Sequence, residues 1–238
     1  MVNLTTESCF PTLIAFFGPD GAGKSTQARM LVNYLRSHGR LRVRLVWIRG
    51  RHTLAFVIAN FLIKLGYYRS FAVSDGTQFK VFDPQSLPRI KGLWGFIEFV
   101  SVLPWILLKV YLPRFLGFTV VAERYVIDTV AYLGYWLGED FLQSFWARSL
   151  ISFIPRNSKL IFLDGDTQDL LKRIRNDYVR RDFLVFQRRV YHCFAKVLGA
   201  TVVNTSESNV EEAFRSIIAS LSTEKDAVSI ARLPSEME

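Results

Sequence analysis

The sequence predicts an α/β fold in which a parallel five-stranded sheet is covered by helices on both faces. Three observations predict it. Five short apolar runs recur along the chain, helical patterns fill the intervals between them, and a glycine-rich loop joins the first run to the first helix. Strands that alternate with helices pair in parallel and are buried on both faces. The runs are 13–17, 43–48, 119–122, 160–163 and 201–204. Helical patterns fall near 24–37, 52–65, 90–115, 127–152, 167–176, 183–197 and 208–221.

Leu13-Ile14-Ala15-Phe16-Phe17 is uninterrupted and apolar, as expected of a strand buried on both faces. It runs into Gly18-Pro19-Asp20-Gly21-Ala22-Gly23-Lys24-Ser25-Thr26, which completes the pattern G-x-x-x-x-G-K-[ST]. Glycines let successive N–H groups turn inward without a Cβ clash, and the following helix adds the positive end of its dipole. Gly18, Gly21, Ala22, Gly23, Lys24, Ser25 and Thr26 are therefore expected to hold the phosphates of a nucleotide, which the resemblance given below makes ATP. Lys24 reaches the β- and γ-phosphates and the Ser25 hydroxyl ligates Mg²⁺. In the helix that follows, Met30, Leu31 and Leu35 share a face, and Gly39 suits its C-terminal end.

The second run ends in Arg49-Gly50-Arg51-His52. Ligands of open parallel sheets sit outside the carboxyl ends of the strands, and here that end carries concentrated positive charge on Arg49 and Arg51. A solvated loop explains the same charges equally well. Residues 67–90 hold Asp75, Gly76, Asp83, Pro84 and Pro88 and read as an irregular excursion. The stretch 92–118 is very apolar but interrupted by Glu98, Pro104, Lys109 and Arg114. Its uncharged run 99–108 is too short to cross a bilayer. A buried helix or helix pair is expected there, with an apolar docking face for a membrane, a subunit or an apolar substrate as the other reading.

The third run ends in Glu123-Arg124-Tyr125. If its strand neighbours the first, Glu123 joins Ser25 around the metal and Arg124 forks onto a phosphate. Asp166 can cap the helix that carries Leu170 and Leu171, and Ser208 with Glu211 forms a capping box for the last one. Between two late helices, near 173–183, lies a segment rich in arginine that suits a cover closing over the site, with Arg180 and Arg181 as catalytic cations.

The chain has 238 residues, half of them apolar, which is enough for one large domain over 1–222 and a polar tail over 223–238. Net charge is +9 and the pI about 9.7, so anionic partners are favoured. Cys9 and Cys193 match no metal or redox spacing, and the first eleven residues have no secretory pattern. A reduced, cytoplasmic protein is expected.

The loop 18–26, the strand end Glu123-Arg124-Tyr125, the segment Phe162-Leu163-Asp164-Gly165-Asp166 leading to Arg173-Ile174, and the late Val202-Val203-Asn204 together resemble the thymidylate kinase group of P-loop kinases over about residues 12–220. The resemblance implies a sheet of order 2-3-1-4-5 and γ-phosphoryl transfer from Mg-ATP to a nucleoside monophosphate, with dTMP the first expectation. It implies that Asp20 contacts the acceptor sugar and that Arg124, Tyr125 and Arg49 or Arg51 serve the acceptor. Glu123 stands where the family usually has Asp, and Arg180 and Arg181 stand for cover-segment arginines. The family's base-reading helix usually carries an arginine, whereas Phe96-Ile97-Glu98-Phe99-Val100 has none. A nucleoside or another alcohol as acceptor, or an NTP-binding regulatory or membrane-associated module, are the competing readings. Partners are ATP and a small acceptor, with a homodimer open, peripheral membrane contact less favoured and no specific nucleic-acid binding.

Overall fold

The computed structural model describes residues 10–38, 42–48, 54–72, 78–84, 88–174 and 181–221. Its elements run β1 (Leu13–Phe17), α1 (Lys24–His38), β2 (Val43–Trp47), α2 (Leu54–Lys64), β3 (Tyr68–Ala72), β4 (Gln78–Phe82), α3 (Pro88–Ile106), a π-helical turn (Leu107–Tyr111) and α4 (Leu112–Phe115). They continue with β5 (Thr119–Arg124), α5 (Val126–Leu137), a 3₁₀ turn (Glu139–Gln143), α6 (Phe145–Ser152), β6 (Ser158–Asp164), α7 (Thr167–Arg173), α8 (Arg181–Leu198), β7 (Thr201–Asn204) and α9 (Val210–Leu221).

The main sheet has the order β2-β5-β1-β6-β7, and every pairing in it is parallel. Counted over its own five strands, that is 2-3-1-4-5. β3 and β4 form a separate antiparallel pair between the second and third of them. The sequence predicts an irregular excursion there, because Gly and Pro punctuate two strands whose alternation is short. β1 lies at the centre, so both of its edges are hydrogen-bonded and both of its faces need cover. Leu13, Ala15 and Phe17 face one core with Val120, Ala122 and Phe162. Ile14 and Phe16 face the other with Val121, Ile161 and Leu163. This alternation explains the continuous apolar run.

On the second face α1 buries Ala28, Leu31, Val32 and Leu35, one stripe at helical spacing, and Ala213 and Ile217 of α9 join it. On the first face lie α2, α3, α5 and α8. The stretch Gly92–Phe115 is long and apolar enough to cross a membrane by length and composition, although 98, 109 and 114 interrupt it. Its inner side is nonetheless core: Val102, Ile106 and Val110 are fully buried.

Two expected boundaries are corrected. The helix read as 127–152 is two helices, because Gly138 takes φ 99° after α5 and Ser144 caps α6 by accepting from Ala147 N–H. The last helix starts at Val210, and its capping box is Asn209 with Glu212, not Ser208 with Glu211. Glu212 N–H donates to Asn209 Oδ1 at 2.8 Å and Asn209 N–H to Glu212 Oε2 at 2.9 Å. Ser208 donates instead to the Asn204 carbonyl. Asp166 caps α7 as expected, accepting from Gln168 N–H at 2.8 Å.

Candidate active site

β1 and β5 pair side by side, Ala15 opposite Ala122, so the loop after one strand meets the last residues of the other. Gly18 has φ 147° and packs directly on β6. A Cβ there would lie 2.1 Å from the Leu163 carbonyl oxygen. Gly21, φ 85°, passes over α7, where a Cβ would lie 2.7 Å from the Leu170 carbonyl oxygen. The loop is thus held between β6 and α7 by close backbone approaches that a side chain would block.

Lys24, the first residue of α1, is 4% exposed, and its Nζ donates to the Gly18 and Pro19 carbonyls at 2.6 Å each. Its ammonium is therefore folded back over the loop that it closes, 3.9 Å from Asp20. The Ser25 hydroxyl donates to Glu123 Oε1. Two hard oxygens, one from the first turn of α1 and one from the end of β5, thus meet at the loop. That donor set fits Mg²⁺, which takes one or two protein oxygens and fills its shell with water and phosphate. Among the described residues no cluster of three or more His, Cys, Asp or Glu forms a self-sufficient metal site.

Arg124 leaves the same strand end and bridges two carboxylates. It donates to Asp20 of the loop and, at 3.4 Å, to Asp128 of α5. Tyr191 of α8 donates to Asp128 at 3.1 Å. Burial opposes the charge on Arg124, but Asp128 and Asp20 more than offset it and hold the guanidinium above its ordinary pKa. Asp128 was not singled out from sequence, although its place four residues after Arg124 on the strand–helix junction was a legible signal.

Tyr125, expected to serve the acceptor, has its side chain in the core. It is 1% exposed, and its hydroxyl donates to the Phe153 carbonyl at 2.7 Å within the core. Burial pushes its pKa up. Its backbone begins α5, which is what the sequence signal at this position reflects. Thr26 is exposed and Ala22 buried beneath the loop. Arg181 opens α8 and is exposed, lining an open hollow of about 530 Å³ with Val185, Phe186 and Arg189. Arg49, Arg51 and Arg180 lie outside the described residues.

A second cluster sits at the end of β6 and was missed from sequence. Arg188 grips Asp164 with two hydrogen bonds of 2.8 and 2.9 Å, a third reaches Thr167, and His192 Nε2 lies 2.8 Å from Asp164 Oδ2. Burial raises the Asp164 carboxyl, but the bonds from Arg188 and from Gly165 N–H outweigh it, and the carboxyl ends below its ordinary pKa. Nearby, Arg173 donates to the carbonyl and hydroxyl of Thr205, tying α7 to the turn after β7.

Sheet, loop and strand-end chemistry together define the class: a P-loop α/β protein. More particularly, its sequence is similar to those of thymidylate kinases. Thymidylate kinases of Anaplasma marginale, strains Florida and St. Maries, are each 30% identical to it over 141 residues, 58% of this chain and 57% of theirs. The thymidylate kinase of Homo sapiens is 27% identical over 193 residues, 81% of this chain and 79% of that one. The chain spans little more than half the length of the Anaplasma relatives it matches. A crystal structure of thymidylate kinase from Ehrlichia chaffeensis matches with a TM-score of 0.49 at 18% identity, over 90% of this chain and 99% of that one. No protein-family model matches.

Proposed function

We propose that this protein is a cytoplasmic Mg-ATP-dependent kinase of one domain that phosphorylates a nucleoside monophosphate, with dTMP the first acceptor to test. The observation that carries the reading is the meeting of the phosphate loop with Glu123 and Arg124 at the carboxyl ends of two adjacent strands. The names of the relatives support the choice of acceptor.

In this reading the loop N–H groups and Lys24 cradle the β- and γ-phosphates of ATP. Ser25 and Glu123 hold Mg²⁺, which when bound supplies neutralising charge between those phosphates. Lys24 Nζ, which donates to the Gly18 and Pro19 carbonyls, exchanges them for phosphate oxygens. Arg124 releases Asp20 to fork onto the acceptor phosphate, and Asp20 turns to the acceptor sugar. Arg49 or Arg51 adds to the acceptor site. An acceptor phosphate oxygen attacks the γ-phosphorus, the bond to the bridging oxygen breaks, and ADP leaves. Positioning and charge stabilisation carry the catalysis, and Arg180 and Arg181 close over the transferring group.

Because Arg124 is already spanned by Asp20 and Asp128, a second reading keeps that bridge intact and takes an uncharged alcohol, such as a nucleoside, as acceptor. An acceptor screen scored by ADP release decides between them. Turnover of dTMP well above that of thymidine supports the first reading, equal turnover the second, and ATP binding without acceptor-dependent turnover overturns both. Lys24→Met keeps the buried stem and removes the ammonium. It should lower kcat by about 100-fold or more while the thermal melt stays cooperative, since the charge serves phosphate rather than packing. Activity within a few-fold of wild type would remove the kinase reading.

A further inference from the structure

One side chain that the mechanism leaves unused braces the phosphate loop from behind. Gly18 lies against the Leu163 carbonyl oxygen of β6 and Gly21 against the Leu170 carbonyl oxygen of α7, which a Cβ would meet at 2.1 and 2.7 Å. The loop backbone therefore touches both walls with no side chain between, and a shift of either wall passes to the loop N–H groups. Those groups hold phosphate only within about 0.5 Å of their working positions, because hydrogen bonds weaken steeply as their geometry departs from the optimum.

Arg188, from the middle of α8, spans the two walls. Its Nε and Nη2 donate to the two oxygens of Asp164, the last residue of β6 and the neighbour of Leu163, at 2.8 and 2.9 Å. Its Nη1 donates to the Thr167 hydroxyl at 2.9 Å, and Thr167 is the first residue of α7, on the turn that leads to Leu170. A guanidinium is planar and its donors are fixed relative to one another, so bonds to both acceptors from one group set the distance between them. Asp164 is buried, which strengthens the grip. His192 also contacts Asp164, at 2.8 Å, on the β6 wall. Arg173 reaches the same strand end indirectly, through Thr205, whose N–H donates to the Asp164 carbonyl. Arg188 makes the direct link.

We infer that Arg188 is a positioning residue for the phosphate loop: by holding Asp164 and Thr167 together it fixes the separation of the walls that seat the loop. It acts through the loop, not by contact with the nucleotide. The inference rests on the reading of 18–26 as a nucleotide site and is independent of the acceptor.

Calorimetric binding of Mg-ATP and of magnesium triphosphate to the full chain, without acceptor and below the melting temperature of every variant, tests this. Arg188→Lys keeps the charge but loses the fork, and should weaken both ligands by about tenfold. Thr167→Val keeps the side-chain shape and the Arg188–Asp164 pair but loses one bond of the span. It should weaken both by about threefold, and Thr167→Ser should restore them. Lys172→Gln removes an exposed charge from α7 without touching either wall and should change neither. A lowered melt with unchanged affinities would leave Arg188 a purely structural role and overturn the proposal. So would weakening of Mg-ATP but not of triphosphate, which would put Arg188 on the base or sugar, or an unchanged Thr167→Val, which would separate any effect of Arg188 from the span. A wild type that binds Mg-ATP but turns over no acceptor removes the kinase reading and leaves this one standing. A wild type that binds neither ligand removes both.

Discussion

Two glycines of the phosphate loop separate conformational from steric demand. Gly23 has φ 83° with open space where a Cβ would go, so Gly23→Ala carries only the left-handed penalty of about 1–2 kcal/mol. Gly18→Ala adds a methyl carbon 2.1 Å from a backbone oxygen of β6, and either the loop or the sheet must shift. Its cost should exceed that of Gly23→Ala by about 1–3 kcal/mol, which for a chain of this size separates the two melts by several degrees at about 2–4 °C per kcal/mol. Equal melts for the two variants would contradict the close approach. Asp164 supplies a second test at this scale. Its folded pKa is depressed, so its contribution to stability is complete above the ordinary carboxylate value of about 4 and is lost as pH falls through the lower folded value. Asp164→Asn should therefore be less stable than wild type at neutral pH. The gap between their melting temperatures should narrow below about pH 4, and a gap independent of pH would show that the carboxylate charge is not what holds Arg188.

At the scale of elements, helix ends are where the sequence was least legible. Ser208 with Glu211 and Asn209 with Glu212 offer the same spacing and the same chemistry, and only the direction of the chain leaving β7 selects the second pair. Asn209→Ala should cost about 1 kcal/mol, whereas Ser208→Ala, which loses one exposed bond to Asn204, should cost a few tenths. The reverse ranking in denaturant titrations would restore the earlier boundary. Gly138 separates α5 from α6, but apolar residues continue on either side of it, and composition alone reads through such a turn. The β3–β4 pair escaped for the opposite reason. Its five-residue strands make no long pattern, and their partner is each other rather than the main sheet.

For the whole molecule, the strands and their chemistry were legible because a doubly covered parallel sheet writes itself as apolar runs, and ligand groups cluster where those runs stop. The phosphate loop, Glu123 and Arg124 follow from that rule. Tyr191 and the Arg188–Asp164 pair did not, because their partners lie 24 to 63 residues away and come together only through the packing of α5 and α8 on the sheet. The same architecture predicts a gradient of stability. β1, β5 and β6 are bonded on both edges and have fully buried residues, so their amides should exchange only through global unfolding. The two-stranded β3–β4 ladder has no third strand and should exchange through opening at a lower free energy. Native-state hydrogen exchange with equal protection in both would contradict this division.

The bridge made by Arg124 also has a consequence for electroneutrality. Among the described residues of the connected set, Lys24 and Arg124 face Asp20, Glu123 and Asp128, two cations against three anions. These side chains do not form a reservoir of positive potential waiting for phosphate. Within this described set an entering anion meets favourable N–H dipoles but no surplus cation, so the balancing charge has to travel with it or be brought over it by groups outside the set. Such a site discriminates by the company a ligand keeps: a phosphate escorted by its counterion is admitted, and a bare one is repelled by the same carboxylates that hold Arg124 in place.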